Sequence, residues 1–403
     1  MNLNIEEIKD IVKYIILNNK KLKEEGKKTT AIEIMGESGI GKTSTIIQLA
    51  EELEMDLVKL NLTMLEELGD LVGYPIKEYE VCFNDSQCDW ISKDLLDSYI
   101  KSGKGVVTGA HRMNYAKPAW LPNTENPNGG ILILDDYNRA DPRFLQACME
   151  LIDRGQYISW SLPPNWTIVL TSNPDNGDYN VNSLDNAQKT RYISFDLDFD
   201  VNVWARWAEE EGIDSRGINF VLSYPEILKK EGGVQKINPR SLVTFFNTIS
   251  GFSNFADTKT LALILNISKG CFTSNDNVVG NLFTMFIANK LDKLVTPEEM
   301  VTKNWAQLKP QIESMVYDKE HYRADIASIL TTRFMNYTNI LFEKKGGNTD
   351  QVVTRILELI DEKNEKLLLS EDLIFNLIKT LSIKHPTRVK KLLTNPKIIK
   401  KLL

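Results

Sequence analysis

Residues 29–43, TTAIEIMGESGIGKT, are the most informative part of the sequence for the fold. Its first half is β-branched and apolar and stops at a glycine, which predicts a buried strand. The residues that follow, TSTIIQLAEEL, place their apolar side chains on one face of a helix. Between strand and helix, Gly36 to Thr43 satisfy the pattern GxxxxGK[ST], and this setting is the one that a phosphate-binding P-loop requires. A glycine-rich turn that happens to precede a helix is the alternative.

Each residue type in this motif has a chemical reason. The glycines allow backbone N–H groups to point inward around a phosphate, and the start of the helix adds its positive dipole end. Lys42 is expected to reach the β- and γ-phosphates, and Thr43 to ligate Mg²⁺. We therefore predict that the chain uses ATP and Mg²⁺. The residues predicted to hold the nucleotide are Gly36, Glu37, Ser38, Gly39, Ile40, Gly41, Lys42, Thr43 and Ser44.

A second motif ends a fully apolar strand. In GILILDD, residues 130–136, aliphatic residues deliver Asp135 and Asp136 to the carboxyl end of a parallel strand, which is the edge where the P-loop lies. Hydrolysis needs a carboxylate that orients the metal and a group that positions water. We expect Asp135 to be the carboxylate on the metal side. A solvated turn is the alternative, since ordinary strand ends also collect Asp.

Strand and helix patterns alternate along the first half of the chain. Further strands are predicted at 56–62, 167–174 and 192–199, whereas residues 69–130 are irregular, as expected of insertions and loops on an α/β core. From about residue 200 the pattern is helical, and no strand is expected there. This order predicts a parallel sheet with flanking helices, followed by one or two all-helical domains.

Length and composition exclude several classes of protein. The chain has 403 residues, more than one hydrophobic core usually spans, so two or three domains are expected. No apolar run approaches the roughly 18 residues of a membrane span, and the N-terminus lacks signal-peptide features, so we expect a cytoplasmic protein without a membrane segment. The cysteines, four in all, are too few for a disulfide scaffold. Cys82 and Cys88 are too far apart for a CxxC pair, which favours reduced, structural thiols.

The charge is unevenly distributed. Residues 373–403 hold seven Lys and one Arg and no acid, and subtracting these charges from the net charge of −7 leaves −15 on residues 1–372. A body this acidic argues against a general nucleic-acid binder. The basic tail is expected either to pack as terminal helices with solvated lysines or to contact phosphate or an acidic partner.

Three segments resemble the MoxR branch of the AAA+ ATPases, ring-forming machines that remodel other proteins. They are GESGIGKT at 36–43, ILILDDYNRADPRFLQACMELIDRGQY at 131–157 and TIVLTSNPDNGDYNVNSLDNAQKTRY at 167–192. In that family the Walker B strand continues into an acidic pair and Asn-Arg-Ala, and the sensor strand ends in Thr-x-Asn-Pro. The resemblance covers roughly residues 30–250 and weakens through the insertions at 74–129.

The resemblance implies catalytic roles. Asn173 is then the sensor that helps to orient the attacking water, Arg191 acts on the nucleotide of a neighbouring subunit, and Arg240 is the second-sensor arginine. Members of the family carry Asp-Glu where this chain has Asp135 and Asp136. Asp136, the expected water-polarising residue, is therefore one methylene shorter, and the rate of hydrolysis stays open. The alternatives are that Asn173 belongs to an Asn-Pro turn, that Arg191 forms a surface salt bridge and that Arg240 caps a helix.

The same resemblance suggests the organisation of the chain and its activity. It implies an α/β P-loop AAA+ core with an N-terminal helix and insertions at 1–200 and a helical lid at 201–255. Beyond the resemblance, the helical pattern of the chain predicts a C-terminal all-helical domain with the basic tail at 256–403. The implied activity is Mg²⁺-dependent ATP hydrolysis of MoxR type by a homo-oligomer, expected to be a hexameric ring, that remodels or activates a protein client. Proteins of the von Willebrand A type are candidate clients. A nucleotide-dependent switch or assembly module with little hydrolysis is the alternative, and a nucleic-acid motor is a weaker one.

Two loops are candidates for contact with a client. Residues 69–73, GDLVG, resemble the family's start of an inserted hairpin that lines the pore or substrate face of the ring. Residues 113–122, MNYAKPAWLP, contain Tyr115 and Trp120 and are a second candidate. Packed loops explain both segments equally well.

Overall fold

This computed structural model describes residues 2–84, 87–103, 105–122, 126–177, 179–228, 230–231, 234–235, 237–255, 257–272, 278–344, 349–361, 366–394 and 398. The chain forms two compact units, Met1–Asp198 and Phe199–Leu403. All of the predicted strands lie in the first unit, and the described part of the second unit is mostly helical.

The first unit contains nine strands and six α-helices among its described residues. The strands are β1 (Asn2–Leu3), β2 (Ala31–Met35), β3 (Asp56–Asn61), β4 (Pro75–Asn84), β5 (Gln87–Ser92), β6 (Val106–Tyr115), β7 (Gly130–Asp135), β8 (Trp166–Ser172) and β9 (Tyr192–Leu197). The helices are α1 (Ile5–Glu24), α2 (Lys42–Glu52), α3 (Leu68–Val72), α4 (Lys93–Ser102), α5 (Pro142–Arg154) and α6 (Asn186–Lys189).

The main sheet is parallel throughout and has the strand order β1-β9-β2-β8-β7-β3. Strands β7 and β8 are buried along their whole length, which explains their continuous apolar runs. The strand before the P-loop, β2, lies between β8 and β9, in the interior of the sheet. The predicted parallel sheet with flanking helices, followed by a helical C-terminal region, is confirmed, whereas its assignment to the AAA+ class stays a prediction.

Local capping explains where the helices begin. Asn4 and Glu7 form a capping box at the start of α1. The side chain of Asp141 accepts a hydrogen bond from the Arg143 N–H, and Pro142 occupies the first position of α5, as the sequence predicts. Strand β1 was not predicted, because two residues are too few to show a pattern before α1 begins.

The insertion forms its own antiparallel sheet of order β5-β4-β6. This sheet corrects the expectation of reduced thiols, because Cys82 and Cys88 form a disulfide. The two residues are direct partners across the β4–β5 hairpin, with Cα atoms 3.9 Å apart. Spacing along the chain was the wrong criterion, since the hairpin folds the two cysteines face to face. Cys148 and Cys271 are free thiols.

The candidate loop at 113–122 is packed at Trp120. The indole of Trp120 donates a hydrogen bond to the Leu71 carbonyl at 3.2 Å and meets the Trp160 ring edge to face, with centroids 5.3 Å apart. Tyr115 belongs to β6. The segment 69–73 spans most of α3 and leads into β4, so it does stand at the start of the inserted sheet.

The second unit contains eleven α-helices among its described residues. They are α7 (Val201–Glu210), α8 (Ser215–Ser223), α9 (Pro239–Ile249), α10 (Thr258–Cys271), α11 (Val278–Ala288), α12 (Pro297–Thr302), α13 (Trp305–Val316), α14 (Ala324–Glu343), α15 (Thr349–Leu359), α16 (Glu371–Lys384) and α17 (Lys390–Leu393). Their buried apolar residues form one hydrophobic core that includes side chains from Trp204 to Ile398. The predicted boundary between residues 255 and 256 stays a prediction.

The expectation of no strand after residue 200 is wrong in detail. Two short antiparallel pairs occur, β10 (Lys230–Glu231) with β11 (Val234–Gln235), and β12 (Tyr317–Asp318) with β13 (His321–Tyr322). Strands of two residues are too short to produce an alternating pattern in the sequence. Of the basic tail, residues 395–397 and 399–403, including Pro396, lie outside the described residues. None of the helices in the described part of the chain has both the length and the hydropathy of a membrane span.

Candidate nucleotide-binding site

The candidate site lies at one edge of the main sheet. Because β2, β7 and β8 are parallel neighbours, their carboxyl ends meet at the same edge. The P-loop follows β2, the acidic pair ends β7, and Asn173 follows β8. The fold therefore brings three sequence motifs, spread over more than a hundred residues of the chain, to one place.

The P-loop glycines are required by its backbone. A Cβ at Gly36 would lie 2.7 Å from the Ile40 side chain and 2.8 Å from the Leu197 carbonyl oxygen, so no larger residue fits. Gly41 has a φ of 101° and caps the N-terminus of α2. Only glycine adopts such an angle without strain. Ile40 is buried, whereas Ser44 is exposed on the first turn of α2.

Lys42 points along the inside of the loop. Its ammonium donates hydrogen bonds to the carbonyl oxygens of Gly36 at 2.6 Å and Glu37 at 2.9 Å, and to Oδ1 of Asn173 at 2.9 Å. The side chain is buried. Lys42 therefore links the P-loop directly to the end of β8.

Asp135 and Thr43 meet as a metal-binding pair would. The Thr43 hydroxyl donates to Oδ1 of Asp135 at 2.6 Å, and the Thr171 hydroxyl donates to the same oxygen at 2.7 Å. The other carboxylate oxygen, Oδ2, lies 2.8 Å from the Lys59 ammonium. Hydroxyl and carboxylate oxygens are hard ligands of the type that Mg²⁺ prefers, so this donor set fits that ion.

The ionisation of Asp135 follows from these contacts. Burial by itself would raise the pKa of the Asp135 carboxyl, but hydrogen bonds from Lys59, Thr43 and Thr171 outweigh burial and hold the pKa below its usual value. Asp135 is therefore a carboxylate at neutral pH. Lys59, on β3, was not predicted, because a lysine in an alternating strand looks like an ordinary solvent-facing residue.

Asp136 has an unusual backbone conformation. Its φ of 53° and ψ of 39° lie in the left-handed region, which short Asp and Asn side chains tolerate better than longer ones. Its Oδ1 accepts a hydrogen bond from Nδ2 of Asn173 at 3.1 Å, and Arg139 lies 3.8 Å from its Oδ2. The side chain is partly exposed. It is thus held beside the site and open to solvent.

Asn173 is fixed by a residue that the sequence analysis did not single out. The side chain of Asn138 donates to the Asn173 carbonyl at 2.7 Å and accepts from the Asn173 N–H at 3.1 Å. Both residues are buried. Asn138 lies in the short 3₁₀ turn directly after the acidic pair, inside the quoted segment YNRADP, so its neighbourhood was the available pointer. These two hydrogen bonds set the position of the Asn173 side-chain amide, which contacts Lys42 and Asp136.

Arg191 lies at the opposite edge of the sheet from the P-loop. It directly precedes β9, whose first residue, Tyr192, pairs with Ala31 at the amino end of β2. At about 3.3 Å per residue, the length of β2 separates this level from the P-loop by about 16 Å. The Arg191 guanidinium donates to the Ala187 carbonyl, and its Nε is buried without a hydrogen-bond partner among the described residues.

Arg240 belongs to the second unit. It is the second residue of α9, follows Pro239 at the helix start, and is exposed. Its backbone N–H donates to the side chain of Asn238 at 2.8 Å, which caps the helix. A role as second-sensor arginine stays a prediction.

Comparison with known proteins gives a limited picture. No protein-family model and no curated protein matches the sequence. Among solved structures, a point mutant of RuvB from Thermotoga maritima is 16% identical, with a TM-score of 0.30, and the match covers 71% of this chain and 90% of that one. A protein from Cytophaga hutchinsonii, provisionally assigned as an ATPase, is 15% identical, also with a TM-score of 0.30, over 95% of this chain and 88% of its own. Similarities this low say nothing about what the chain does.

Proposed function

We propose that this chain is a Mg²⁺-dependent AAA+ ATPase of MoxR type that acts as an oligomeric ring on a protein client. The observation that carries the proposal is one connected set of contacts at the carboxyl edge of the sheet. Thr43 contacts Asp135, Lys42 contacts Asn173, and Asn173 contacts Asp136. These are the residue types that phosphoryl transfer to water requires, in mutual reach.

Each residue has a distinct task in this proposal. The Lys42 ammonium and the P-loop N–H groups bind the phosphates, and the oxygens of Thr43 and Asp135 hold Mg²⁺. When bound, Mg²⁺ neutralises charge on the phosphate oxygens. Asp136 accepts a hydrogen bond from the attacking water and polarises it. Asn173 keeps Asp136 in position through its amide.

The position of Arg191 supports action between subunits. It lies at the sheet edge away from the P-loop of its own chain. In a head-to-tail ring, a guanidinium there would meet the nucleotide of a neighbour and would stabilise charge on the transferred phosphoryl group. This arrangement would make hydrolysis depend on assembly. Hexameric state, MoxR type and a client of von Willebrand A type remain expectations from the resemblance.

The second candidate function is a nucleotide-dependent switch that hydrolyses ATP slowly. The observation that favours it is the left-handed conformation of Asp136, which suits a short acid in place of the longer Glu of the family. ATP turnover by the purified protein separates the two functions. A switch would bind nucleotide and change its sedimentation without releasing phosphate. If the protein neither binds nucleotide nor releases phosphate, both functions are excluded. Salt-sensitive retention on DNA would instead favour a nucleic-acid motor.

Mixing two variants tests the ring. Asp136→Asn keeps Arg191 but lacks the proposed base, and Arg191→Ala keeps the base but lacks the guanidinium. If Arg191 acts on the neighbour, an equal mixture should regain about one quarter of wild-type turnover, because random assembly completes about one site in four. If mixing restores nothing, Arg191 does not act between subunits. Arg154→Ala, which changes an exposed arginine of the same unit, is the matched control.

A further inference from the structure

Tyr179, which follows β8 in the chain, forms hydrogen bonds with the start of the P-loop. The Tyr179 hydroxyl donates a hydrogen bond to Oε2 of Glu37 at 2.7 Å and accepts one from the backbone N–H of Ser38 at 3.1 Å. The other carboxylate oxygen of Glu37, Oε1, lies 3.5 Å from the amide nitrogen of Asn176. Two consecutive P-loop residues are therefore bound to side chains that follow Asn173.

The same stretch of chain is anchored at both of its ends. At one end, Asn173 is held by Asn138 through two hydrogen bonds. At the other end, the Asn182 N–H donates to the Asn138 carbonyl at 2.8 Å, and its side chain donates to the Ala140 carbonyl at 2.6 Å. Tyr179 is thus presented to the P-loop from a stretch whose two ends rest on the turn after the acidic pair.

These contacts lie on the side of the loop where the terminal phosphates would be. The P-loop lysine reaches the β- and γ-phosphates, and the Lys42 ammonium contacts the backbone carbonyls of Gly36 and Glu37. Glu37 therefore lies beside the ammonium that reaches these phosphates. The bond between Tyr179 and Glu37 is close to the position that distinguishes a triphosphate from a diphosphate.

A carboxylate in this place is electrostatically unfavourable for the proposed ligand. The Glu37 side chain is buried, with only 4% of its surface exposed. The Lys42 ammonium contacts the Glu37 backbone carbonyl, so a Glu37 carboxylate in a rotamer that faces this cation would compete with phosphate for it. A charge-assisted hydrogen bond from a tyrosine is strong enough to hold the carboxylate in one rotamer.

We infer that Tyr179 is a positioning residue, which fixes the Glu37 carboxylate and thereby sets the preference of the cradle for nucleoside triphosphate over diphosphate. The inference rests on the proposed nucleotide-binding function of the P-loop. It assigns to Tyr179 a task that neither the P-loop motif nor the acidic pair performs. It also explains how an acid is tolerated at the second position of a loop that binds anions.

The test compares ATPγS with ADP by isothermal titration calorimetry in the presence of Mg²⁺. Tyr179→Phe should weaken ATPγS binding about tenfold, as loss of one charge-assisted hydrogen bond would, and ADP binding by no more than about threefold. The double variant Tyr179→Phe with Glu37→Gln should bind ATPγS within about twofold of Glu37→Gln alone, since no carboxylate is left to release. Tyr14→Phe, at an exposed tyrosine of α1, is the matched control.

The outcomes separate this inference from the proposed function. Equal losses for both nucleotides, no loss, or a double variant that binds ATPγS much more weakly than Glu37→Gln alone would overturn the role of Tyr179 while leaving the P-loop assignment intact. If the wild-type chain binds neither nucleotide, both the proposed function and this inference fail. Retained ADP binding by Tyr179→Phe shows that the variant is folded, so a loss confined to ATPγS cannot come from unfolding.

Discussion

Asp136→Asn is the substitution that isolates the proposed base from its surroundings. The left-handed conformation of residue 136 suits Asn as well as Asp, so the backbone has no reason to move. Asn also keeps an Oδ1 that accepts the hydrogen bond from Asn173, which is 3.1 Å long in the wild type. The substitution therefore removes one negative charge and little else.

The expected effects on stability and turnover differ in size. The only ion pair that Asp136 makes among the described residues joins it to Arg139 at 3.8 Å, and both side chains are partly exposed. Such a pair contributes at most about 1 kcal/mol, so the free energy of unfolding should change by less than that. A general base typically accelerates its reaction by about 10² to 10⁴, so turnover should fall at least about 100-fold, or about 2.7 kcal/mol in the barrier.

The assay is steady-state phosphate release at saturating Mg²⁺ and ATP, together with ATPγS affinity. Affinity should stay within about twofold, since the residues that bind phosphate are unchanged. Asp141→Asn is the matched control, because Asp141 is an exposed helix cap for which Asn is an equal replacement. Turnover by Asp136→Asn within about fivefold of wild type would refute the assignment of Asp136 as the base.

Three further predictions follow from the contacts. Lys42→Ala should abolish measurable ATPγS binding, because the substitution removes the ammonium that faces the phosphates, and should leave the circular dichroism spectrum unchanged. Normal ATP turnover by this variant would exclude the P-loop function. Lys59→Gln should raise the pKa of Asp135. The lowered pKa of Asp135 stabilises the folded state above the pKa of the unfolded chain, and this stabilisation is lost as the pH falls through the folded-state pKa. Acid unfolding of the variant, followed by circular dichroism, should therefore begin at a higher pH than in the wild type. Burial raises the pKa of the Cys148 thiol to about 12. Maleimide at pH 8 should therefore label Cys271 in the native protein and Cys148 only after unfolding, which peptide mass spectrometry would report. Labelling of Cys148 in the native protein would contradict its burial.

Features that depend on residues adjacent in the chain could be predicted from the amino-acid sequence. A P-loop is a strand, a glycine-rich turn and a helix in direct succession, so its residue types and spacing are enough to predict it. Asp135 and Asp136 could be assigned to the sheet edge because an apolar strand ends at them. The start of α5 at Pro142 could also be predicted, because the preceding Asp is a favourable N-cap residue.

The contacts between residues far apart in the chain became evident from the tertiary structure. Cys82 faces Cys88 because a hairpin sets their register, and Tyr179 reaches Glu37 because β8 ends beside β2. Lys59 contacts Asp135 for the same reason, since β3 is paired with β7. Each of these contacts depends on strand order and register, which arise from packing over the whole sheet and leave no periodic trace in the chain.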